Sequence, residues 1–349
     1  MIGVIGGYGN IGREVVKLLT ERGYKGITVG SRRQNLEDPI SWSYVNIEEE
    51  ESLFHFMNRH SIVINTAGPS SLLSLKAAEC ALKAGCHYID CGYNREVTRL
   101  SVKDTSQCIL YNMGSIPGFS EILPLVFRED FTQVERFRHF YSITGKFTRT
   151  AAIDFIAGVF SGNGGMTLPA AGKIPELDGL QPFYKNAERI LPYENADTAQ
   201  IQEIMKSPEA QWYHVICGSN INAFYKDLLK KYFQGREKLA AELCLAAERD
   251  HILIPSQVTF LLEMEGINRE GEPQKNLYYL QAPGQSKLSA AFCTAVCECL
   301  LEGSIEPGIG WIEKLTDPAA VFGKVKQYGL LSLKKIVNAA LEEKEEGVL

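Results

Sequence analysis

Three short stretches carry residues whose types and spacing fit redox chemistry on a bound dinucleotide. The first is Gly6-Gly7-Tyr8-Gly9-Asn10-Ile11-Gly12. Gly7, Gly9 and Gly12 make a G-x-G-x-x-G between the apolar run Met1 to Ile5 and a helical pattern of Ile11, Val15, Val16, Leu18 and Leu19. Between a strand and a helix, that spacing is a dinucleotide fingerprint and more than a glycine-rich turn. Gly7 is expected to permit the tight turn, Gly9 to let backbone approach a pyrophosphate, and Gly12 to let the helix pack closely on the sheet. Tyr8, Asn10 and Ile11 complete the loop, and the helix start offers free N–H groups and partial positive charge to phosphate.

The second stretch ends the next strand and reads Gly30-Ser31-Arg32-Arg33. An acid at this point would bond the ribose 2′-OH of NAD and repel a 2′-phosphate. None is present. Ser31 can donate a hydrogen bond, and Arg32 and Arg33 can supply charge-assisted bonds to a phosphate. The pattern predicts NADP(H). The competing reading is a pair of arginines on an exposed loop. Asn46, at the end of a third strand, is placed to flank the adenine. Ala67-Gly68-Pro69 is a small-residue turn where backbone can pass close to the cofactor.

The third stretch, Asp90-Cys91-Gly92-Tyr93, follows a fifth strand, where nicotinamide and substrate should meet. Tyr93 can donate a proton, and Cys91 can do so weakly. Cys91 reads more readily as a small buried hydrophobe, Tyr93 equally as a packing residue, and Asp90 as a cap of the following segment. Farther along, Arg149, near Lys146 and Asp154, suits a bidentate clamp on a substrate carboxylate. Its alternative is an exposed interdomain salt bridge.

The elements that must hold these groups alternate. Strands are expected at Met1–Ile5, Gly26–Val29, Trp42–Ile47, Ser61–Asn65, His87–Asp90 and Ile109–Asn112. Helices intervene, one opened by the acidic run Glu48–Glu51 and another spanning Ser70–Ala84. This alternation predicts a doubly wound parallel sheet with ligands at the carboxyl ends of its strands. After Pro117-Gly118 the pattern changes. A short helix capped by Ser120 is expected to run to Arg128, then a strand at Val134–Ile143 and a helix over Ala151–Ser161. Met166–Pro175 is a further strand candidate. Helices follow at Asp197–Met205, Asn222–Phe233 and Arg236–Glu248. Gln257–Met264 and Asn276–Gln281 read as a hairpin, hence a mixed or antiparallel sheet that forms a substrate wall. Ser286–Leu301 reads as a long buried helix.

The chain has 349 residues, 45% hydrophobic and 22% charged, which suits two soluble domains. A net charge of -6 argues against a nucleic-acid-coating protein. No apolar run reaches the roughly 18 residues of a membrane span. Nine cysteines without a regular framework suggest free thiols in a reducing compartment, and the cytoplasm is expected. No signal peptide is expected. The histidines show no paired spacing, and no metal is expected. Cys293, Cys297 and Cys299 read as core packing on one helix.

Gly6-Gly-Tyr-Gly-Asn-Ile-Gly12, Gly30-Ser-Arg-Arg33, Ile64-Asn-Thr-Ala-Gly-Pro69 and Ala84-Gly-Cys-His-Tyr-Ile-Asp-Cys-Gly92 together resemble the saccharopine dehydrogenase-like family. The later Leu300-Leu-Glu-Gly-Ser-Ile-Glu-Pro-Gly308 resembles that family's closing helix and turn. The resemblance implies an α/β chain: an N-terminal Rossmann NADP-binding domain, an inserted α+β substrate and dimerisation domain, and C-terminal helices returning to the first. The expected boundaries are 1–124 with about 285–349, and about 125–284. It also implies an NADPH-dependent reductase of a C=N bond in a small amine- or amino-acid-derived substrate, working as a homodimer. Reduction of a C=C or C=O bond in a natural-product pathway and a non-catalytic NADP-binding sensor are the alternatives.

Overall fold

The computed structural model describes residues 1–37, 39–92, 94–100, 105–161 and 177–338. In chain order the first part runs β1 (Ile2–Ile5), α1 (Asn10–Glu21), β2 (Ile27–Ser31), β3 (Ser41–Tyr44), α2 (Glu50–Met57), β4 (Ile62–Asn65), α3 (Ser70–Ala84), β5 (His87–Asp90), β6 (Cys108–Leu110) and α4 (Phe119–Phe127). The middle part runs β7 (Phe131–Thr144), α5 (Arg149–Ser161), β8 (Ala187–Pro192), α6 (Ala196–Met205), β9 (Glu209–Cys217), α7 (Ser219–Leu228), α8 (Arg236–His251), β10 (Gln257–Asn268) and β11 (Pro273–Ala282). The last part holds α9 (Gln285–Leu301), β12 (Gly308–Gly310), α10 (Pro318–Gln327) and β13 (Ser332–Val337). The strand candidate Met166–Pro175 lies outside the described residues.

Two compact units result. One comprises Met1–Ile122 with Ser286–Leu330, the other Leu123–Gln285 with the chain from Leu331 onward. The first unit is built on a seven-stranded sheet in the order β12-β6-β5-β4-β1-β2-β3. Every pairing in it is parallel. Its central strands are short and apolar because both faces are covered: all four residues of β1 and of β4 are buried. The order reverses between β1 and β4, which opens a crevice at their carboxyl ends. Helix α1 turns Gly12, Val15, Val16, Leu18 and Leu19 inward. Helix α9 is buried over most of its length, and the one carboxylate of its apolar stretch, Glu298, is fully paired. Glu298 accepts from Arg22 Nε at 2.9 Å and from Tyr328 OH at 3.0 Å.

The second unit is built on a six-stranded mixed sheet in the order β13-β11-β10-β7-β9-β8. β7 and β9 run parallel, and the other pairs are antiparallel. The predicted hairpin is β10 and β11, joined in register from Val258↔Ala282 to Ile267↔Pro273. Two apolar clusters form in this unit. One gathers Ile216 with Ile156, Phe224 and Leu243 of α5, α7 and α8. The other gathers Phe140, Tyr213, Val215 and Leu261 with Leu180 and Tyr184.

Several elements differ from expectation. β3 stops at Tyr44, short of Ile47, because Asn46 turns the chain into α2: Ser52 Oγ accepts from Asn46 N at 3.1 Å. Ser120 lies inside α4, and its hydroxyl donates to Glu121 rather than capping the helix. β8, β9 and β13 carry no clear alternation in sequence. The segment 285–349 was expected to return whole to the first domain. Ser332–Val337 instead pairs antiparallel with β11 in the second sheet. Two lysines on a mostly exposed edge strand conceal its pairing from any hydrophobic pattern.

Candidate functional site

The crevice at the carboxyl ends of β1 and β4 is shaped by backbone. Gly6 N donates to Gly30 O at 2.8 Å, and Gly9 N donates back to Gly6 O at 2.8 Å. The turn needs a left-handed residue at Gly6 (φ 75°), not at Gly7 as the motif suggested. Gly7 serves space instead: a Cβ there would lie 2.8 Å from Val29 Cγ1. At Gly12 a Cβ would lie 2.3 Å from Gly6 O and 2.6 Å from Gly7 Cα, so loop and helix meet there without room for a methyl group. Around Gly9 a Cβ would meet only Gly6 O, at 3.1 Å, among the described residues. Its outer side is open to a ligand. Helix α1 starts at Asn10 with no side-chain cap and no acid in its first turn. Its amides and dipole are therefore left for an anion. The hydroxyl of Tyr8 is buried and has no partner among the described residues.

Arg32 and Arg33 lie exposed just past β2. Among the described residues neither guanidinium is paired with a carboxylate. Ser31 was expected to offer a donor, but its hydroxyl is already spent. It donates to Arg33 O and accepts from Trp42 Nε1 at 3.0 Å. Its work is to shape the loop that presents the arginines. Asn46 is likewise engaged: Nδ2 donates to Glu49 Oε1 at 2.8 Å, and Oδ1 accepts from Glu48 N at 3.2 Å.

Opposite Gly6 lies the turn Thr66-Ala67-Gly68-Pro69, with a cis peptide bond between Gly68 and Pro69. A Cβ on Gly6 would sit 2.9 Å from Ala67 N, so the two loops touch. Sequence reasoning missed what holds this turn. Asn65, the fully buried last residue of β4, accepts from Ala67 N at 3.1 Å and donates to Asp90 Oδ2 at 3.1 Å. Asp90, the last residue of β5, also accepts from the Tyr88 hydroxyl and from Gly92 N at 2.8 Å. Burial pushes its carboxyl above the usual range, while the bonds from Tyr88, Gly92 and Asn65 oppose that rise. Burial, and then Asp90 itself, push the Tyr88 phenol well up. Asn65 and Asp90 thus lock the turn after β4 to the start of the loop after β5.

A second missed piece is the strap after β6. Asn112 N donates to Gly92 O at 3.2 Å and Met113 N to Asp90 O at 2.8 Å. Ser115 N donates to Ser289 Oγ of α9 at 3.0 Å. Gly118 closes the strap at φ 126°, where a Cβ would lie 2.3 Å from Asn112 O. The Pro117-Gly118 pair was the only sequence signal for it. Cys91 is half-buried between these loops, and its amide donates to Asn65 O at 3.1 Å. Tyr93 lies outside the described residues. Arg149 stands in the second unit, exposed at the start of α5. It donates to Glu237 Oε2 from Nε at 3.1 Å and from Nη2 at 2.7 Å. The structure holds it in an exposed ion pair within one unit, not as a free clamp.

An open glycine face, an uncapped helix start, an orphaned tyrosine hydroxyl and two unpaired arginines fit a dinucleotide carrying an extra phosphate. Residues 2–109 match the family model described as the saccharopine dehydrogenase NADP binding domain. Over nearly the whole chain, the fold is similar to that of apo histidine-tagged saccharopine dehydrogenase (L-Glu forming) from Saccharomyces cerevisiae. The TM-score is 0.65 at 12% identity, over 97% of this chain and 99% of that one. Residues 2–109 are therefore a domain of the saccharopine dehydrogenase NADP-binding type. A mutant meso-DAP dehydrogenase from Clostridium tetani is similar at a TM-score of 0.46 and 15% identity, over 93% of this chain and 95% of that one. No curated protein matches in sequence. With that cofactor domain the protein is an NADP-dependent oxidoreductase, and NADP(H) is its cofactor. Among the described residues no helix is long and apolar enough to cross a membrane.

Proposed function

We propose that the protein reduces a C=N bond in a small amine- or amino-acid-derived substrate. The observation that carries this reading is the match of residues 2–109 to the saccharopine dehydrogenase cofactor domain. The buried, cross-linked polar ends of β4 and β5 supply a rigid seat beside that domain's cofactor loops. Bound NADPH supplies the hydride. Gly7, Gly9 and Gly12 admit the pyrophosphate, with Tyr8, Asn10 and Ile11 around it, and Arg32 and Arg33 take the 2′-phosphate. Asn46 borders the adenine. Ala67, Gly68 and Pro69, held by Asn65, back the nicotinamide end. Asp90 fixes the course of Cys91 and Gly92, and we assign Tyr93, the next residue in the sequence, as proton donor to the substrate nitrogen. Cys91 lines the seat. The reading includes a cytoplasmic homodimer, for which β13, the edge strand of its sheet among the described residues, with Leu333 and Val337 exposed, offers a pairing surface.

NADPH consumption with panels of preformed imines, amine-plus-oxoacid mixtures, enals and ketones tests the reading. Turnover is expected only where amine and carbonyl are present together. Turnover of carbonyls or enals alone overturns it, as does tight NADPH binding with no turnover in any panel.

A further inference from the structure

Every hydrogen bond at the Asp90 carboxyl group arrives from a donor. Asn65 Nδ2 donates to its Oδ2 at 3.1 Å, Gly92 N to its Oδ1 at 2.8 Å, and the Tyr88 hydroxyl to Oδ2 as well. A proton on Asp90 would need an acceptor among these three partners. Only the Tyr88 oxygen could serve, and the phenol's own proton would then be stranded in the core, where Tyr88 is fully buried. The network is therefore closed around a carboxylate. Its three bonds hold the charge against the burial that disfavours it.

Asp90 is buried, and among the described residues no arginine, lysine or histidine pairs with it. It is a negative charge that is hydrogen-bonded but not neutralised. Locking two loops together requires acceptors only, so an uncompensated charge is an added cost. Its position supplies a counterpart. Asp90 ends β5, about 4.8 Å from β4 in the hydrogen-bonding direction. Asn65, which ends β4, joins it to the next turn: Nδ2 bonds Asp90 and Oδ1 bonds Ala67 N, at 3.1 Å each. Ala67-Gly68-Pro69 is the turn assigned above to the nicotinamide end. Oxidised nicotinamide carries a positive ring charge that the reduced ring lacks.

We propose that Asp90 is an electrostatic tuning residue whose buried carboxylate favours the oxidised nicotinamide over the reduced one. It acts through space, in surroundings where solvent and salt screen little. Asp90 thereby stabilises the positive charge left behind when a hydride and its electron pair pass to the substrate, and so raises the donor strength of bound NADPH. The inference rests on the placing of the nicotinamide end in the proposed function, and not on the substrate.

The test is binding in the absence of substrate. Dissociation constants are measured by calorimetry for NADP+, NADPH and 2′-phospho-ADP-ribose, which lacks the nicotinamide. In the wild type NADP+ should bind more tightly than NADPH, and the reverse order overturns the proposal. In Asp90→Asn the NADP+ complex should weaken about tenfold, while NADPH and the truncated ligand change by less than about twofold. For a two-electron couple that shift raises the potential of the bound cofactor by about 30 mV. Equal loss for all three ligands would mean that Asp90 only braces the loops, and it overturns the proposal, as does an unchanged ratio. Asp90→Asn sets an amide against Asn65 Nδ2, so the exchange Asn65→Asp with Asp90→Asn is the second variant. It restores a donor–acceptor match, keeps the charge and should keep the preference for NADP+. Should neither variant fold, the wild-type order decides.

Ala67→Phe separates the inference from the reading beneath it. Loss of NADP+ and NADPH binding with the truncated ligand retained supports the placing of the nicotinamide end, and an unshifted ratio in Asp90→Asn then removes the tuning role alone. No loss in Ala67→Phe removes the placing, and the inference with it. A shifted ratio in a protein that reduces no C=N substrate removes the proposed substrate and leaves the role of Asp90 standing.

Discussion

The parallel sheet buries Asn65 and Asp90 at strand ends, whereas the mixed sheet, besides Asn268 at the end of β10, buries charged and imidazole side chains in mid-strand. In the parallel sheet, Asn65 and Asp90 are the last residues of β4 and β5, and both are buried. In the mixed sheet, Arg138 and His139 of β7, His214 of β9 and Glu263 of β10 are buried in mid-strand. At a strand end the ladder stops and nearby loop amides are free to bond. Asn65 and Asp90 use this, collecting Ala67 N and Gly92 N. In mid-strand the amides are spent on the ladder, and a polar side chain must find a partner across the register. Arg138 stands opposite Glu263 and donates to it from Nε at 2.8 Å. His139 stands between Leu262 and Trp212, and neither ring nitrogen has a partner among the described residues. Burial pushes both His139 and His214 down to about 3. Polar burial in the first unit positions a site, whereas in the second it constrains stability.

The largest effect expected from this contrast is at Arg138. Arg138→Met strands Glu263 and should cost about 3–5 kcal/mol in denaturant unfolding, with NADPH affinity unchanged. A weaker NADPH complex at unchanged stability would break the contrast. Arg149→Ala removes only an exposed pair and should leave the unfolding midpoint where it is.

Next is the phosphate contact. Arg32→Gln should weaken NADPH binding by about 1.5–3 kcal/mol and leave NADH binding nearly unchanged, read by titration of cofactor fluorescence. An equal loss for both cofactors would mean that the loop, not the charge, was altered.

Gly12→Ala forces a methyl group against Gly6 O and should cost about 1–3 kcal/mol of stability together with a large loss of NADPH affinity. Full affinity in a destabilised variant would separate packing from binding at this position.

The last effect is graded by pH: small near neutrality, it grows as pH falls. His139 and His214 have folded-state pKa values of about 3, below the unfolded value of 6.5. The unfolded chain therefore binds more protons between those values. The stability they leave intact is complete above about pH 6.5 and is lost as pH falls toward 3, at about 1.4 kcal/mol per pH unit for each histidine. Urea midpoints measured down this window should fall. His139→Phe should flatten the slope by about half, and an unchanged slope would remove the histidines as its source.

The first unit was legible because its signals are local. Strand–glycine–helix order, a missing acid after β2 and the exact span of β5 are all readable within a few residues. The misses there, Gly6 as the strained turn and Asn65 as the brace, depend on which loops touch. In the second unit the hairpin was legible from its turn. β13 was not, because an edge strand that buries little needs no apolar alternation.

The sequence by itself determined the cofactor loop, its charge preference and the alternating order, since turn chemistry and phosphate recognition are written in adjacent residues. Only the tertiary structure decided that Asn65 and Asp90 lock the loops together, that Arg149 is spent on Glu237, and that Ser332–Val337 pairs with β11. Each joins residues from different elements, and sequence spacing carries no measure of those distances.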